Sequence, residues 1–167
     1  MSDPDLVDLV TAAQRGDALA MQELLGLLTP YVGKLCGPIA LQDGPDATQE
    51  ALIAIFRNLG RLTEPAAVFG WARTIAVRAA VRVARAASRQ GVAAPLEDVP
   101  AVGDPLLASD IRDVLDRLSP EHRAVLVLRD LEGLDERTVG AVLAVPTGTV
   151  KSRLFRARTS FRKAWVR

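Results

Sequence analysis

At 167 residues the chain has room for one domain or two small ones, and 49% apolar residues exclude a disordered chain. One Cys (Cys36) and one His (His122) exclude a disulfide framework and leave no side-chain set for a Cys- or His-based metal site or a catalytic triad. Only 4% aromatic residues, among plentiful Ala, Leu, Val and Arg, point to an all-α fold. No apolar run reaches the roughly 20 residues of a membrane span. The acidic start MSDPDLVDLV lacks the basic opening of a signal peptide. A cytoplasmic chain without a membrane span is expected.

The net charge of +1 hides a strong segregation. Residues 1–64 carry four basic and nine acidic side chains, and residues 65–94 carry five Arg and no acid. Residues 95–121 carry two basic and seven acidic side chains. Residues 147–167 carry seven basic and again no acid. Surface helices normally interleave both signs. Two acid-free basic blocks therefore suggest two contacts with a polyanion, against the alternative of two solvated faces.

In chain order, the sequence predicts four helices over residues 1–89. The first runs from Asp5 to Arg15 and stops at Gly16. The second starts near Asp17 and runs toward Leu41, with Leu24, Leu27, Leu28, Val32 and Leu35 as its apolar stripe and a kink or break at Pro30. A third is expected from an N-cap at Asp46 to Leu59. Gly60–Glu64 forms a loop, and Pro65 opens a fourth helix that reaches Arg89. The segment QGVAAPLEDVPAVGDP (90–105) has no helical period and reads as a flexible linker. Residues 106–167 predict four more helices: 106–117, 119–131, 135–143 and 147–165. Ser119-Pro120-Glu121 is a strong start signal, and Gly133 is a stop. Only Ala144-Val145-Pro146 separates the last two helices, the spacing of a helix-turn-helix.

Three helix faces carry candidate function. On the last helix, Val150, Leu154, Ala157, Phe161 and Trp165 share one stripe and should be buried. Thr149, Ser152, Arg153 and Arg156 lie on the open side, with Lys151 at its flank. Thr147 and Thr149 sit at a helix start that offers N–H donors to a phosphate. Thr, Ser and Arg suit phosphate contacts and base-edge hydrogen bonds in a major groove. On the fourth helix, Arg78, Arg82, Arg85 and Arg89 stack on one side with Trp71. That arrangement can track phosphates while the Trp stacks on an unpaired base, or Trp71 is simply core. On the third helix, Asp46, Gln49, Glu50, Ile53 and Arg57 share one side; Leu52, Ile55, Phe56 and Leu59 share the other and should be core. Ile53 is either an isolated exposed apolar residue or the centre of a small polar-rimmed protein-docking face.

These residues bring out a family. The stretch LSPEHRAVLVLRDLEGLDERTVGAVLAVPTGTVKSRLFRARTSFRKAW, Leu118 to Trp165, resembles domain 4 of the extracytoplasmic-function (ECF) group of bacterial sigma-70 factors. Gly148-Thr149-Val150-Lys151-Ser152-Arg153-Leu154 and Arg156-Ala157-Arg158 match its recognition-helix signature. Asp46-Ala47-Thr48-Gln49-Glu50 through Phe56, then Phe69-Gly70-Trp71 and Ile75-Ala76, are similar to domain 2. The resemblance implies two small helical domains: residues 1–89 as domain 2 and 106–167 as the helix-turn-helix domain 4.

It implies further that the chain is a promoter-specificity subunit of RNA polymerase with no chemistry, cofactor or small-molecule substrate of its own. Asp46, Gln49, Glu50 and Ile53 would meet the beta-prime clamp helices of core polymerase, with the beta flap as a second contact. Leu62 and Thr63 in the 60–66 loop, with Trp71, Arg78, Arg82 and Arg85, would read and melt −10 DNA. Thr147, Thr149, Lys151, Ser152, Arg153 and Arg156 would enter the −35 major groove. An anti-sigma factor is a possible partner. The chain departs from the family's habit at Leu62-Thr63-Glu64-Pro65-Ala66, where polar residues are usual, and at Arg78, where Asn or another small polar residue is common. Val139-Gly140 stands where Ile-Ala is usual and looks conservative. Two other readings are weaker. A dimeric helix-turn-helix regulator would need a dimerisation face, and the chain has no heptad run for one. An enzyme would need a phosphate loop, a nucleophile–base pair or metal-ligand spacing, and none is found. Cys36 reads as a small buried residue. The acidic segments are expected to compete for the basic faces, so that the free chain binds promoter DNA weakly.

Overall fold

The computed structural model describes residues 3–90 and 105–166. The expected linker at 90–105 lies outside the described residues except for its two ends, which are helical. All described elements are helices: α1 (Asp3–Gln14), α2 (Ala18–Ala40), α3 (Gly44–Asn58) and α4 (Val68–Gln90), then α5 (Pro105–Asp116), α6 (Pro120–Leu126), α7 (Glu136–Leu143) and α8 (Thr147–Trp165).

Asp17 starts α2 as expected. Its carboxylate accepts from the Leu19 and Ala20 amides, which the helix itself leaves unpaired. Pro30 does not break the helix, which runs 23 residues through both Pro30 and Pro38. Each proline deprives the carbonyl four residues back of its partner. Those carbonyls belong to Gly26 and Lys34, both exposed, where water can take over. The Ala18–Arg61 stretch is in fact long and apolar enough, by length and composition, to cross a membrane. The apolar side of α2 is spent otherwise. Leu24, Leu28, Val32, Leu35 and Ile39 are all at most 1% exposed and pack on α1, α3 and α4. Each such side chain contributes roughly 1.5–3 kcal/mol of burial. Leu27, expected in the same stripe, lies at its exposed edge.

Asp46 is not the cap of α3. A 3-10 turn, Leu41–Asp43, runs directly into a helix that starts at Gly44 with Pro45 in its first turn. No extended residue remains at 46 to serve as a cap, and Asp46 becomes an exposed first-turn acid. Pro65 opens a 3-10 turn, Pro65–Ala67, rather than α4 itself. The buried side of α4 is mostly alanine (Ala72, Ala76, Ala79, Ala80, Ala84), which lets neighbouring helices approach closely.

In the second set, Ser119 caps α6 through a bond from the His122 amide, with Pro120 next, as the sequence predicts. The helix expected to reach Leu131 changes type. Val127–Leu131 is π-helical, and Gly133 (φ 67°) ends it. Arg123 is the buried charged residue of this set, 6% exposed. It donates to the carbonyls of Leu115 and Leu118 at the end of the α5 region, and across to Ile39 at the end of α2, at 3.2, 2.7 and 2.7 Å. Burial pulls its guanidinium pKa down, opposed by Asp116 and Glu121. The two four-helix sets are therefore packed together, α4 on α6 and α7, and α2 on α6.

Candidate nucleic-acid interface

The α7–α8 turn is built from backbone constraints. Asp135 is extended and its carboxylate accepts from the Thr138 amide at 2.7 Å, which starts α7 and holds the carboxyl below its usual range. Ala144 ends α7 in the left-handed region (φ 54°, ψ 45°). Pro146 is extended and starts α8. Gly140 is more than a conservative change from Ala. A Cβ there would lie 2.8 Å from the Val145 carbonyl oxygen, and the Val145 amide already bonds the Gly140 carbonyl. The turn thus closes on the backbone of α7, leaving no room for a side chain.

Val150, Leu154 and Ala157 seat α8 against its neighbours, as expected. Phe161 is only half-buried and Trp165 is 46% exposed, so the stripe does not stay buried to its end. Because α8 is much longer than α6 and α7, its last turn has less to pack on. Trp165 stacks on Phe161 instead, with ring centroids 6.1 Å apart. On the open side, Thr147, Lys151, Ser152 and Arg156 are exposed, and Thr149 and Arg153 are half-exposed. The Ser152 hydroxyl donates to the Thr149 carbonyl. Lys151 Nζ is 3.7 Å from Glu136 Oε2. Arg158 is fixed at 2.5 Å by Asp130, which raises its pKa. Arg156 makes no ion pair among the described residues. The sequence reading missed Phe155, which stands 71% exposed between Ser152 and Arg156. An aromatic in the middle of an acid-free polar face was its available signal.

On α4 the expected stripe forms, but the guanidiniums of Arg78, Arg82 and Arg85 are occupied. The Arg78 guanidinium caps the end of α7, donating to the Val142 carbonyl at 2.8 Å and the Ala141 carbonyl at 3.2 Å. Arg82 pairs with Glu50 of α3 at 2.6 Å. Arg85 pairs with Glu121 of α6. Burial raises the Glu121 carboxyl, but a backbone hydrogen bond and Arg85 outweigh it and the net shift is downward. Trp71 is half-buried against the core, between its two expected roles.

In the 60–66 loop, Thr63 is exposed as expected. Leu62 is buried: it is 8% exposed and belongs to the core. Its carbonyl and that of Leu59 accept from the Gln14 amide at 2.7 and 2.9 Å, so α1 ties down the base of the loop. An apolar residue among polar loop neighbours was the sign that Leu62 would turn inward.

On α3, Asp46, Gln49, Glu50 and Ile53 are all exposed, Ile53 at 44%. Phe56, expected in the core, is 54% exposed. Ala47, Ala51, Ile55 and Leu59 fill the buried positions against α2 and α4, and Phe56 falls outside that line. It joins Ile53 at a groove of about 910 Å3 between α2 and α3, walled by Leu25, Gly33, Gly37 and Leu52. Cys36 is fully buried, its thiol pushed up to about 11 by burial. Among the described residues, no three His, Cys, Asp or Glu side chains group as a metal site.

Comparison with known proteins agrees with these features. Residues 108–161 match the family described as "Sigma-70, region 4". The chain is 30% identical over 176 residues to the ECF RNA polymerase sigma-E factor of Haemophilus influenzae, covering 90% of this chain and 89% of that protein. It is 37% identical over 131 residues to the ECF RNA polymerase sigma factor SigE of Mycolicibacterium smegmatis, covering 72% of this chain and 51%, about half, of that protein. Its fold is similar to that of the sigma factor RpoE of Bartonella quintana, solved in complex with the anti-sigma factor NepR. The TM-score is 0.70 at 21% identity, over 86% of this chain and 94% of that one. With a helix-turn-helix in the matched segment and full-length similarity at this level, the chain belongs to the ECF sigma factors of the sigma-70 family.

Proposed function

We propose that the chain is a promoter-specificity subunit: it binds core RNA polymerase, reads −35 DNA with α8, and reads and melts −10 DNA with α4 and the 60–66 loop. Residues 1–89 act as sigma domain 2, residues 106–167 as sigma domain 4, and 90–105 as the linker. The observation that carries this reading is the open face of α8. Thr147, Thr149, Lys151, Ser152, Arg153 and Arg156 lie along one acid-free helix whose entry angle is fixed by the Gly140–Val145 contact. Phe155 adds an apolar surface suited to a thymine methyl group. On the other module, Arg78, Arg82 and Arg85 supply phosphate contacts, and Trp71 and Thr63 take an unpaired base. Asp46, Gln49 and Glu50 rim an apolar centre of Ile53 and Phe56, the anatomy of a protein-docking face. That face takes the clamp helices of polymerase. The chain does no chemistry, needs no cofactor, and works in the cytoplasm, where an anti-sigma factor can hold it.

The test is co-elution of the purified chain with bacterial core polymerase on a sizing column. The wild type should co-elute, and the Asp46→Ala/Gln49→Ala variant should be depleted from the complex. Failure of the wild type to co-elute, with the chain running as a dimer, would replace this reading by a dimeric regulator.

A further inference from the structure

Residues 147–167 carry no acid, so a carboxylate that pairs with α8 must come from a neighbouring element. Two do so. Asp130, in the π-helical turn, holds Arg158, and Glu136, in the first turn of α7, has Oε2 3.7 Å from Lys151 Nζ. Lys151 and Arg158 are seven residues apart, which places them on one line of the helix. Glu136 acts on both: it also helps raise the Arg158 pKa, behind the Asp130 hydrogen bond. Arg153 and Arg156, on the open side, make no ion pair among the described residues. Direct ion pairing is thus confined to one flank of a helix whose open face is free to meet a polyanion.

The members of the Lys151–Glu136 pair differ in freedom. The Glu136 side chain is 33% exposed, on a turn pinned by the Asp135 carboxylate, while the Lys151 side chain is 65% exposed on a flexible four-carbon stem. The acid is the anchor and the ammonium the mobile partner. An ammonium has three donors, so Lys151 can stay beside Glu136 and still meet a base acceptor in the groove. Swinging out to a backbone phosphate means leaving Glu136. Phosphate contacts add affinity on any sequence, whereas base-edge contacts add it only on the right one. We propose that Glu136 is a specificity-determining residue of the DNA face: it holds Lys151 off the phosphates, so that duplexes of the wrong sequence lose a contact that the right sequence keeps. This rests on the proposed −35 role of α8, and it gives α7 an acid that works against non-specific binding. An acid that only stabilised the start of α7 through the helix dipole would not change how DNA binding responds to salt.

The experiment compares the full chain with Glu136→Gln, Lys151→Met and the double variant. Glu23→Gln is the control, removing one exposed acidic charge on α2, away from α8. Fluorescence anisotropy gives the affinity for a labelled duplex of mixed sequence across a salt series that starts at low ionic strength. At the low-salt end Glu136→Gln should bind about two- to fivefold more tightly than the control, the size of one exposed ion pair. Its plot of log K against log salt should be steeper by about 0.9, one added phosphate contact. In the Lys151→Met background the same change should do neither. Affinity and slope equal to the control's, or a gain that survives in Lys151→Met, overturns the proposal. In the polymerase complex, selection from a random duplex pool should return a looser −35 consensus with Glu136→Gln than with the wild type, and an equally tight one overturns it as well. A wild-type complex that enriches no sequence sinks the −35 reading of α8; the salt series does not depend on that result, so the two fail separately.

Discussion

The two arginine-bearing helices, α4 and α8, look alike in sequence and are held in opposite ways. The ion-paired residues of α8 find partners within their own half: Arg158 on Asp130 and Lys151 near Glu136. Those pairs fix the flank of the helix and leave Ser152, Phe155 and Arg156 facing out. On α4, Arg82 alone pairs within its half, while Arg78 and Arg85 are held from across the chain. A partner within the same rigid body orients a side chain in every state. A partner on another body does so only while the two stay packed. An arginine's availability thus depends on where its acceptor is anchored rather than on its own exposure, since Arg78, Arg82 and Arg85 are all exposed by area. Exposed pairs of this kind are individually weak, typically below about 1 kcal/mol.

The change expected to break this comparison most severely is Arg123→Met. It removes the buried guanidinium that joins α2 to the end of the α5 region and leaves three carbonyls without their donor. A loss of roughly 3 kcal/mol is expected, which calorimetry should register as a fall of about 6–12 °C in Tm. An unchanged melting curve would mean that the two halves do not share this pin.

Next in size is Arg156→Ala, which sharpens the contrast from the α8 side. Its guanidinium has no ion pair to lose among the described residues, so Tm should stay fixed. Binding of the polymerase complex to its promoter, by footprinting, should weaken by about 1–3 kcal/mol if the side chain reads a base edge.

The last pair of variants tests the turn that aims α8. Gly140→Ala should cost about 1–3 kcal/mol, because its Cβ meets a backbone carbonyl that cannot rotate away. Ala144→Gly should go the other way and stabilise by about 0.5–1 kcal/mol, by removing the penalty of a left-handed non-glycine cap. Denaturant melts of the two variants beside the wild type would separate these signs.

Local signals settled much about this protein. Asp17, Ser119 and Asp135 lie at helix starts because a side-chain oxygen next to unpaired amides is a short-range interaction, legible in a few residues. The eight helices, the α7–α8 spacing and the arginine stripe of α4 come from period and punctuation in the same way. The family resemblance then gave these faces their roles. The outcomes that the tertiary structure decided depend on atoms far apart in the chain. Phe56 is exposed because Ala51 and Ile55 take the buried line of α3, and Leu62 is buried in a loop whose base Gln14 ties to α1. Pro30 is tolerated because the carbonyl it strands faces water. Gly140 is required because Val145 returns onto it. The charge blocks announced that acids would meet the basic faces, and Glu50 and Glu121 do so on Arg82 and Arg85. No pattern of charges along the sequence, however, could place Arg78 on the end of α7. Its acceptors are backbone carbonyls, which every residue carries, and only packing selects which of them a guanidinium will reach.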